Sequence, residues 1–265
     1  MLLKNYLKMN EILIFKIGGK LIDDKFLLND FLKKFSMIKS PKILVHGGGK
    51  KASKLSEKLN VEVKIINGRR ITNKTSLEIA TMVYAGELNK KIVSKLQKLN
   101  CNSIGLSGAD GNSIISKKRE NSKINYGFVG DISFVNTKFI IELLKNNLTP
   151  VFCAITHNKK GQLLNTNADS IASEIAINLS NDFKTKLFYC FEKKGVLKNL
   201  NNENSLIKKI NLNDYKDLIK NNNISEGMIP KLDNCFYALK NGVNKVTIGN
   251  NSMLINKKDF TELKI

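Results

Sequence analysis

Two short motifs end an apolar run in glycine with a lysine close by: Phe15-Lys16-Ile17-Gly18-Gly19-Lys20 and Val45-His46-Gly47-Gly48-Gly49-Lys50. Without Cβ, a glycine backbone turns sharply and brings its N–H groups against a ligand. A helix that starts directly after such a turn points the positive end of its dipole at the same place. The chemistry offered is anion binding, most simply of a phosphate, although a glycine turn with no ligand has the same local sequence. Lys16 lies inside the otherwise apolar stretch Ile14-Phe15-Lys16-Ile17, where a charge is costly to bury unpaired. It either reaches solvent or is aimed at an anion.

Three further positions carry polar chemistry. Asn165-Thr166-Asn167-Ala168-Asp169 precedes a clean amphipathic pattern, so it reads as a cap, with Asn167 or Thr166 as the N-cap and Asp169 in the first turn, or as a ligand-facing cluster. Lys231 follows Gly227-Met228-Ile229-Pro230 at the predicted start of a helix, where a cation opposes the dipole and suggests an anionic partner. Arg70 is conspicuous because only Arg69, Arg70 and Arg119 among 44 basic residues are arginine. A planar guanidinium suits two-pronged binding of a carboxylate.

These groups need elements to hold them. Apolar runs at Glu11–Ile17, Ile43–Val45, Asn102–Leu106, Pro150–Ile155, Thr185–Phe191 and Val246–Gly249 read as buried strands. Val61–Ile66 alternates like a strand, and Ser113–Val135 reads as short hairpin strands. Between them come helical patterns at Phe26–Phe35, Lys50–Leu59, Thr75–Leu99, Asn136–Asn147, Ala168–Leu179 and from Met228 onward, with Asn199–Asn204 a polar loop. Strands alternating with helices predict an α/β fold with a mainly parallel sheet covered on both faces. Ligands then gather beyond the carboxyl ends of the strands, where both glycine turns fall. A lobe boundary is expected between Leu179 and Thr185.

No apolar run approaches a membrane span, and the first residues are too broken by Lys4, Asn5, Lys8, Asn10 and Glu11 for a signal peptide. Cys101, Cys153, Cys190 and Cys235 form no CxxC pair and read as buried reduced thiols, consistent with the cytoplasm. Neither histidine has a ligand partner at metal spacing, so no metal site is expected. The formal charge of +21 is lysine spread along the chain, with abundant asparagine, and reads as compositional bias rather than a nucleic-acid surface. No Walker A sequence occurs. Gly47-x-Gly49-x-x-Ala52 does match the loose dinucleotide pattern GxGxxA, so an NADP-binding oxidoreductase, with Arg69 and Arg70 on the 2′-phosphate, stays open.

Taken in order, KIGGK, HGGGK, NGRRIT, LSGADG, LNTNAD and GMIPK, spread over about residues 11 to 250, resemble the acetylglutamate kinases of the amino acid kinase family. The resemblance implies an αβα sandwich of two lobes. Residues 1–180 would bind the acylated amino acid and dimerise, and 181–265 would bind ATP. It implies ATP-dependent phosphorylation, with Mg²⁺, of the γ-carboxylate of N-acetyl-L-glutamate on the route to arginine. N-succinyl-L-glutamate is an alternative acceptor and acetylaminoadipate a more distant one. By motif, Lys16 and Lys231 would contact the transferring phosphoryl group, and Asp169 would orient both. Gly47, Gly48, Arg70, Asn165 and Asn167 would hold the acceptor. Gly18, Gly19, Glu192, Gly195 and Met228 would serve ATP. One departure stands out: where the family has a TDVxGV pattern, this chain has Phe191-Glu192-Lys193-Lys194-Gly195-Val196, with Glu192 in the aspartate's place. The resemblance implies that arginine-sensitive forms are hexamers joined by a long N-terminal helix; only Met1 to Asn10 precede the first strand here, too few for such a helix, so a homodimer without arginine feedback is expected.

Overall fold

Glu11 to Ile17 (EILIFKI) forms a strand buried on both faces, which explains why its apolar run is continuous rather than alternating. The structure, a computed structural model, describes residues 9–66, 69–120, 124–199, 202–221, 224, 228–255 and 259–265. In chain order, β1 (Glu11–Ile17) leads to α1 (Lys20–Asp23) and α2 (Lys25–Met37), and β2 (Lys42–His46) to α3 (Gly49–Lys58). A small hairpin, β3 (Ile65–Ile66) and β4 (Arg69–Arg70), precedes α4 (Lys74–Thr81), a π-helical stretch at Met82–Leu88, and α5 (Asn89–Lys98). Then come β5 (Ser103–Leu106), β6 (Ile114–Lys118), β7 (Val129–Val135), α6 (Thr137–Lys145), β8 (Thr149–Cys153), β9 (Ile155–His157), β10 (Leu163–Thr166) and α7 (Ala168–Leu179). The last part holds β11 (Lys184–Cys190), β12 (Lys209–Ile210), α8 (Leu212–Lys220), α9 (Ile229–Lys240), β13 (Lys245–Gly249) and β14 (Thr261–Leu263).

One eight-stranded sheet, in the order β12-β14-β13-β11-β1-β2-β8-β5, runs through the whole molecule. From β13 to β5 all its pairings are parallel, and β14 runs antiparallel at β13. The sheet places β1 and β11 side by side, with Lys16 opposite Tyr189, so the stretches either side of residue 180 share one core. Helix α7 lies over β1, β2 and β11, with α6 and α9 against it, while α2 and α5 pack together elsewhere. The apolar stripe Ala168, Ile171, Ala172, Ile175, Ala176 and Leu179 of α7 is buried throughout, as its spacing predicts. Strands β10, β7, β6 and β9 close on one another as a small barrel separate from the sheet.

Local chemistry sets the helix ends. Asp24 caps α2, its Oδ1 accepting from Phe26 N at 2.8 Å and Leu27 N at 3.0 Å. At the other end of α2, the buried Lys42 ammonium donates to the carbonyls of Phe35 (2.8 Å) and Ile38 (2.5 Å). Carbonyls left over at a helix C-terminus are what a cation satisfies best, and burial lowers the Lys42 pKa.

Several expectations change. Of Val61–Ile66 only Ile65 and Ile66 form a strand, because the partner they meet, Arg69–Arg70, is equally short; Asn67 and Gly68 lie outside the described residues. This hairpin does not join the main sheet next to β2, so the βαβ unit that a dinucleotide fingerprint requires is not formed. The Thr75–Leu99 helix is one continuous rod but switches to π geometry between Met82 and Leu88. Strand β13 is not the last, since β14 pairs beside it. Helix α8, which the apolar spacing does not predict, opens with a capping box in which Asn211 and Asp214 bond reciprocally. Within the expected polar loop, Leu200 and Asn201 lie outside the described residues, as does Gly227.

Candidate active site

A cavity of about 370 Å³ opens at the carboxyl ends of β1, β2 and β10. The turns after β1 and β2 bring Gly18, Gly19, Gly47, Gly48 and Gly49 to it. The end of β10 brings Asn165, the N-terminus of α7 brings Asn167 and Asp169, and β4 brings Arg70. Two of the glycines are required by close approach. A Cβ on Gly18 would lie 2.7 Å from Lys16 Nζ, so the lysine side chain folds over the space the missing methyl leaves. A Cβ on Gly48 would meet Leu88 Cδ1 at 2.5 Å and Tyr84 Cδ1 at 2.8 Å.

Lys16 and Asp169 form an ion pair, Nζ to Oδ1 2.7 Å, with side chains only 12% and 14% exposed. The approach is off the hydrogen-bonding direction, leaving Asp169 Oδ1 with a charge partner but no directed donor. The contact therefore counts as an ion pair and not as a formed hydrogen bond. The backbone carbonyl of Asp169 accepts from Tyr189 Oη at 3.2 Å, and Ser173 Oγ meets the same phenol at 2.7 Å, which fixes the first turn of α7 against β11.

Asn167 is the N-cap of α7, its Oδ1 accepting from Asp169 N (2.7 Å) and Ser170 N (3.2 Å). Capping and lining the cavity are thus both true of it. Asn165 donates from Nδ2 to Thr72 Oγ1 at 3.0 Å. Arg70 donates from Nη2 to Gly49 O (2.9 Å) and Ser53 Oγ (2.6 Å), which seats the guanidinium at the start of α3. Tyr84 lies against it: burial raises the phenol's pKa, and the Arg70 charge pulls the other way. Lys16, Lys50, Arg69 and Arg70 line the cavity with Asp169, the one carboxylate on it among the described residues, a balance suited to a ligand carrying several negative charges. Arg69 is held below the usual arginine range by burial and by the neighbouring Arg119.

The remaining expected residues are placed differently. Lys231 is half-buried in the first turn of α9 and does not line the cavity. Its charge and that of Asp169 both reach the Cys235 thiol, whose pKa burial raises well above normal, with Asp169 adding to the rise and Lys231 opposing it. Met228 is the N-cap of α9, its carbonyl accepting from Lys231 N at 3.0 Å. Glu192 lines a separate hollow of about 180 Å³ with Phe191 and Asn250, and sits 3.8 Å from Lys20 Nζ. Gly195 is tightly packed, since a Cβ there would lie 2.5 Å from Thr261 Oγ1. Among the described residues no cluster of three or more His, Cys, Asp or Glu could hold a metal ion.

Sequence reasoning did not pick out Ser53, Thr72 or Tyr84. Ser53 and Thr72 hold Arg70 and Asn165, and Tyr84 is turned onto Gly48 by the π geometry, which leaves no mark in the apolar spacing.

The sequence profile described as the amino acid kinase family matches residues 11–250. An acetylglutamate kinase of Cytophaga hutchinsonii is 48% identical over 241 residues, covering 91% of each chain. One from Phocaeicola vulgatus is 46% identical over 238 residues, 90% of this chain and 93% of that one. A solved structure from Streptococcus mutans superposes with a TM-score of 0.81 at 30% identity, covering 96% of this chain and 98% of that one.

Proposed function

The chain belongs to the amino acid kinase family, and from that premise we propose that it is an acylglutamate-directed kinase, transferring the γ-phosphoryl group of ATP to the γ-carboxylate of N-acetyl-L-glutamate. The product is an acyl phosphate, an intermediate of arginine biosynthesis. The observation that carries the reading is the Lys16–Asp169 pair set between two glycine turns, with Arg70 on the same cavity. The near-full-length likeness to acetylglutamate kinases supports the acetyl group over the succinyl one.

The chemistry asks little of the protein. A γ-carboxylate is ionised at neutral pH, so no general base is needed. A carboxylate oxygen forms the new bond to the γ-phosphorus while the bond from phosphorus to the β,γ-bridging oxygen breaks, and ADP leaves with that electron pair. What the site must do is align the two reactants and meet the charge spreading over the phosphoryl oxygens. Arg70, seated by Gly49 O and Ser53 Oγ, is placed to take the acceptor's α-carboxylate, with Asn165 and Asn167 beside it. Amides of the glycine turns and the Lys16 ammonium face the phosphoryl group. Lys231, whose charge reaches the same thiol as that of Asp169, approaches from α9 as the nucleotide fills the space between. Asp169 holds the lysines in position.

Mg²⁺ is expected to enter on the ATP phosphates, since Asp169 is the one carboxylate lining the cavity among the described residues and is already paired to Lys16. When bound it would offset phosphate charge. In this reading residues 1–180 bind acceptor and form the homodimer contact. Residues 181–265 bind ATP through Glu192, Gly195 and Met228, all within the cytoplasm. The test is ATP consumption measured against N-acetyl-L-glutamate, N-succinyl-L-glutamate and N-acetyl-aminoadipate. The acetyl compound should give the highest kcat/KM, and preference for either of the others would overturn the acceptor assignment.

A further inference from the structure

We propose that His46 and Asn89 are a positioning pair that locks the Gly47–Gly48 peptide with its N–H aimed at the transferring phosphoryl group. The inference deepens the kinase reading and rests on it for the identity of the anion. It adds two buried side chains, on β2 and α5, that touch neither substrate.

The His46 side chain is fully buried, and its Nδ1 lies 2.9 Å from the carbonyl of Gly47. A carbonyl only accepts, so Nδ1 carries the proton and donates. The other ring nitrogen, Nε2, must then accept, and it meets Asn89 Nδ2 at 3.1 Å. That amide, 1% exposed, also donates to Val151 O at 2.9 Å, so each of its two hydrogens has an acceptor. Asn89 Oδ1 accepts from Lys90 Nζ at 3.3 Å, and Asn89 fits only because Gly105 has no side chain, where a Cβ would lie 1.9 Å from that oxygen. Each partner fixes the next, and the whole arrangement is consistent only with the neutral Nδ1–H tautomer.

The consequence is stereochemical. In a planar trans peptide the C=O of Gly47 and the N–H of Gly48 point in opposite directions. Pinning the carbonyl to the buried imidazole turns the Gly48 N–H away from it, on the side where Gly47, Gly48 and Gly49 line the cavity. The neighbouring Gly47 N donates to Ile17 O at 3.3 Å, continuing the ladder of β1 and β2. Among the described residues no acceptor takes the Gly48 N–H. A glycine peptide is free to flip, and a flipped one would present a carbonyl to the phosphoryl oxygens, repulsion where a donor is needed. The imidazole stays neutral because burial pushes its pKa down to about 4, the Gly47 carbonyl opposing and Lys90 adding to the fall. Around it, β8 presents the Cys153 thiol, itself pushed up to about 12 by burial, and β1 presents apolar Ile17.

The test has an arm that needs no turnover. The chain has two histidines, so long-range proton–nitrogen NMR on ¹⁵N-labelled protein resolves each ring. His46 should be the neutral Nδ1–H tautomer from pH 8 to pH 6, and Asn89→Asp, which offers Nε2 an acceptor instead of a donor, should move a proton onto Nε2. The Gly48 amide proton should shift when ATP is added. A Nε2–H tautomer or a charged ring at neutral pH in the unmutated chain overturns the proposal, as does a Gly48 amide indifferent to ATP. The second arm separates positioning from packing. His46→Phe combined with Asn89→Leu keeps roughly the same shapes and leaves no side-chain donor orphaned, but the carbonyls of Gly47 and Val151 lose their side-chain donors, so the melting temperature should fall by several degrees while the chain still folds. kcat should nevertheless fall about tenfold or more, because one oriented donor is lost, with KM for the acceptor little changed. A folded double variant with unimpaired kcat refutes the proposal; should it not fold, kcat of His46→Phe alone, which removes the donor to Gly47 O, decides, an undiminished value being the refutation. If no acceptor is phosphorylated at all, the kinase reading fails, while the tautomer and amide results still judge the pair.

Discussion

Replacing Arg70 by lysine keeps the charge and removes the fork. In the structure Nη2 alone bonds Gly49 O at 2.9 Å and Ser53 Oγ at 2.6 Å, and these contacts hold the guanidinium plane toward the cavity. A lysine ammonium at the end of a flexible stem can meet the acceptor's α-carboxylate or the α3 terminus, with no fixed plane linking them. The loss is therefore about one charge-assisted hydrogen bond, roughly 1.5–3 kcal/mol, or about 10- to 150-fold in affinity. Positioning of this kind is mostly ground-state binding, so the change should appear as a raised KM for N-acetyl-L-glutamate, with kcat and the KM for ATP moving much less. Ser53→Ala offers a milder companion, removing one seat of the guanidinium without altering charge, and should raise the acceptor KM by a few fold. Steady-state kinetics with each substrate varied in turn reads both. An unchanged acceptor KM in Arg70→Lys would remove Arg70 from the acceptor site.

Lys16→Ala should lower kcat by roughly 10²-fold or more while circular dichroism stays unchanged, as loss of an electrostatic stabiliser does; an effect confined to the KM for ATP would make Lys16 a nucleotide-binding group only. Asp169→Asn leaves the Lys16 ammonium, 12% exposed, without its partner, and should cost about 3–5 kcal/mol of stability in the absence of ATP, measured by urea unfolding with and without nucleotide. Gly48→Ala drives a methyl to 2.5 Å from Leu88 Cδ1 and should destabilise by about 1–3 kcal/mol, so an unchanged melting temperature would show that Leu88 and Tyr84 yield freely. His46 gives a pH dependence: its folded pKa is depressed from 6.5 to about 4, so below pH 6.5 the unfolded chain takes up a proton that the folded chain refuses. Stability is unaffected by this group above that pH and falls as pH drops toward 4, by roughly 3 kcal/mol in all. Urea unfolding at pH 7 and pH 4.5 should show a smaller loss in His46→Phe than in the unmutated chain.

Legibility of the sequence followed the physics of each segment. The buried strands and α7 were readable because burial on both sides of a sheet, or on one stripe of a helix, forces a continuous or periodic apolar pattern, as in Glu11–Ile17 and Ala168–Leu179. The glycine turns were readable because at Gly18 and Gly48 a side chain would crowd Lys16 Nζ, Leu88 and Tyr84. The hairpin at β3 and β4 was not, since two-residue strands carry no period of their own. The π stretch from Met82 to Leu88 was hidden for another reason: a shift in helical register keeps the same residue types while redirecting Tyr84 and Leu88 onto Gly48. The second-rank partners Ser53, Thr72 and Asn89 are ordinary polar residues whose meaning comes only from what they meet across the fold. The sequence pointed to Glu192 by its motif, but its place in a hollow separate from the main cavity follows from where β11 and β13 end.

The central claim is transfer of a phosphoryl group to a carboxylate, and trapping the product tests it most directly. Purified chain incubated with ATP, Mg²⁺, N-acetyl-L-glutamate and hydroxylamine should accumulate a hydroxamate and ADP in equal amounts, because hydroxylamine intercepts an acyl phosphate. Both should vanish without the acceptor. ADP formed with no matching hydroxamate, or formed equally well without N-acetyl-L-glutamate, would contradict the account.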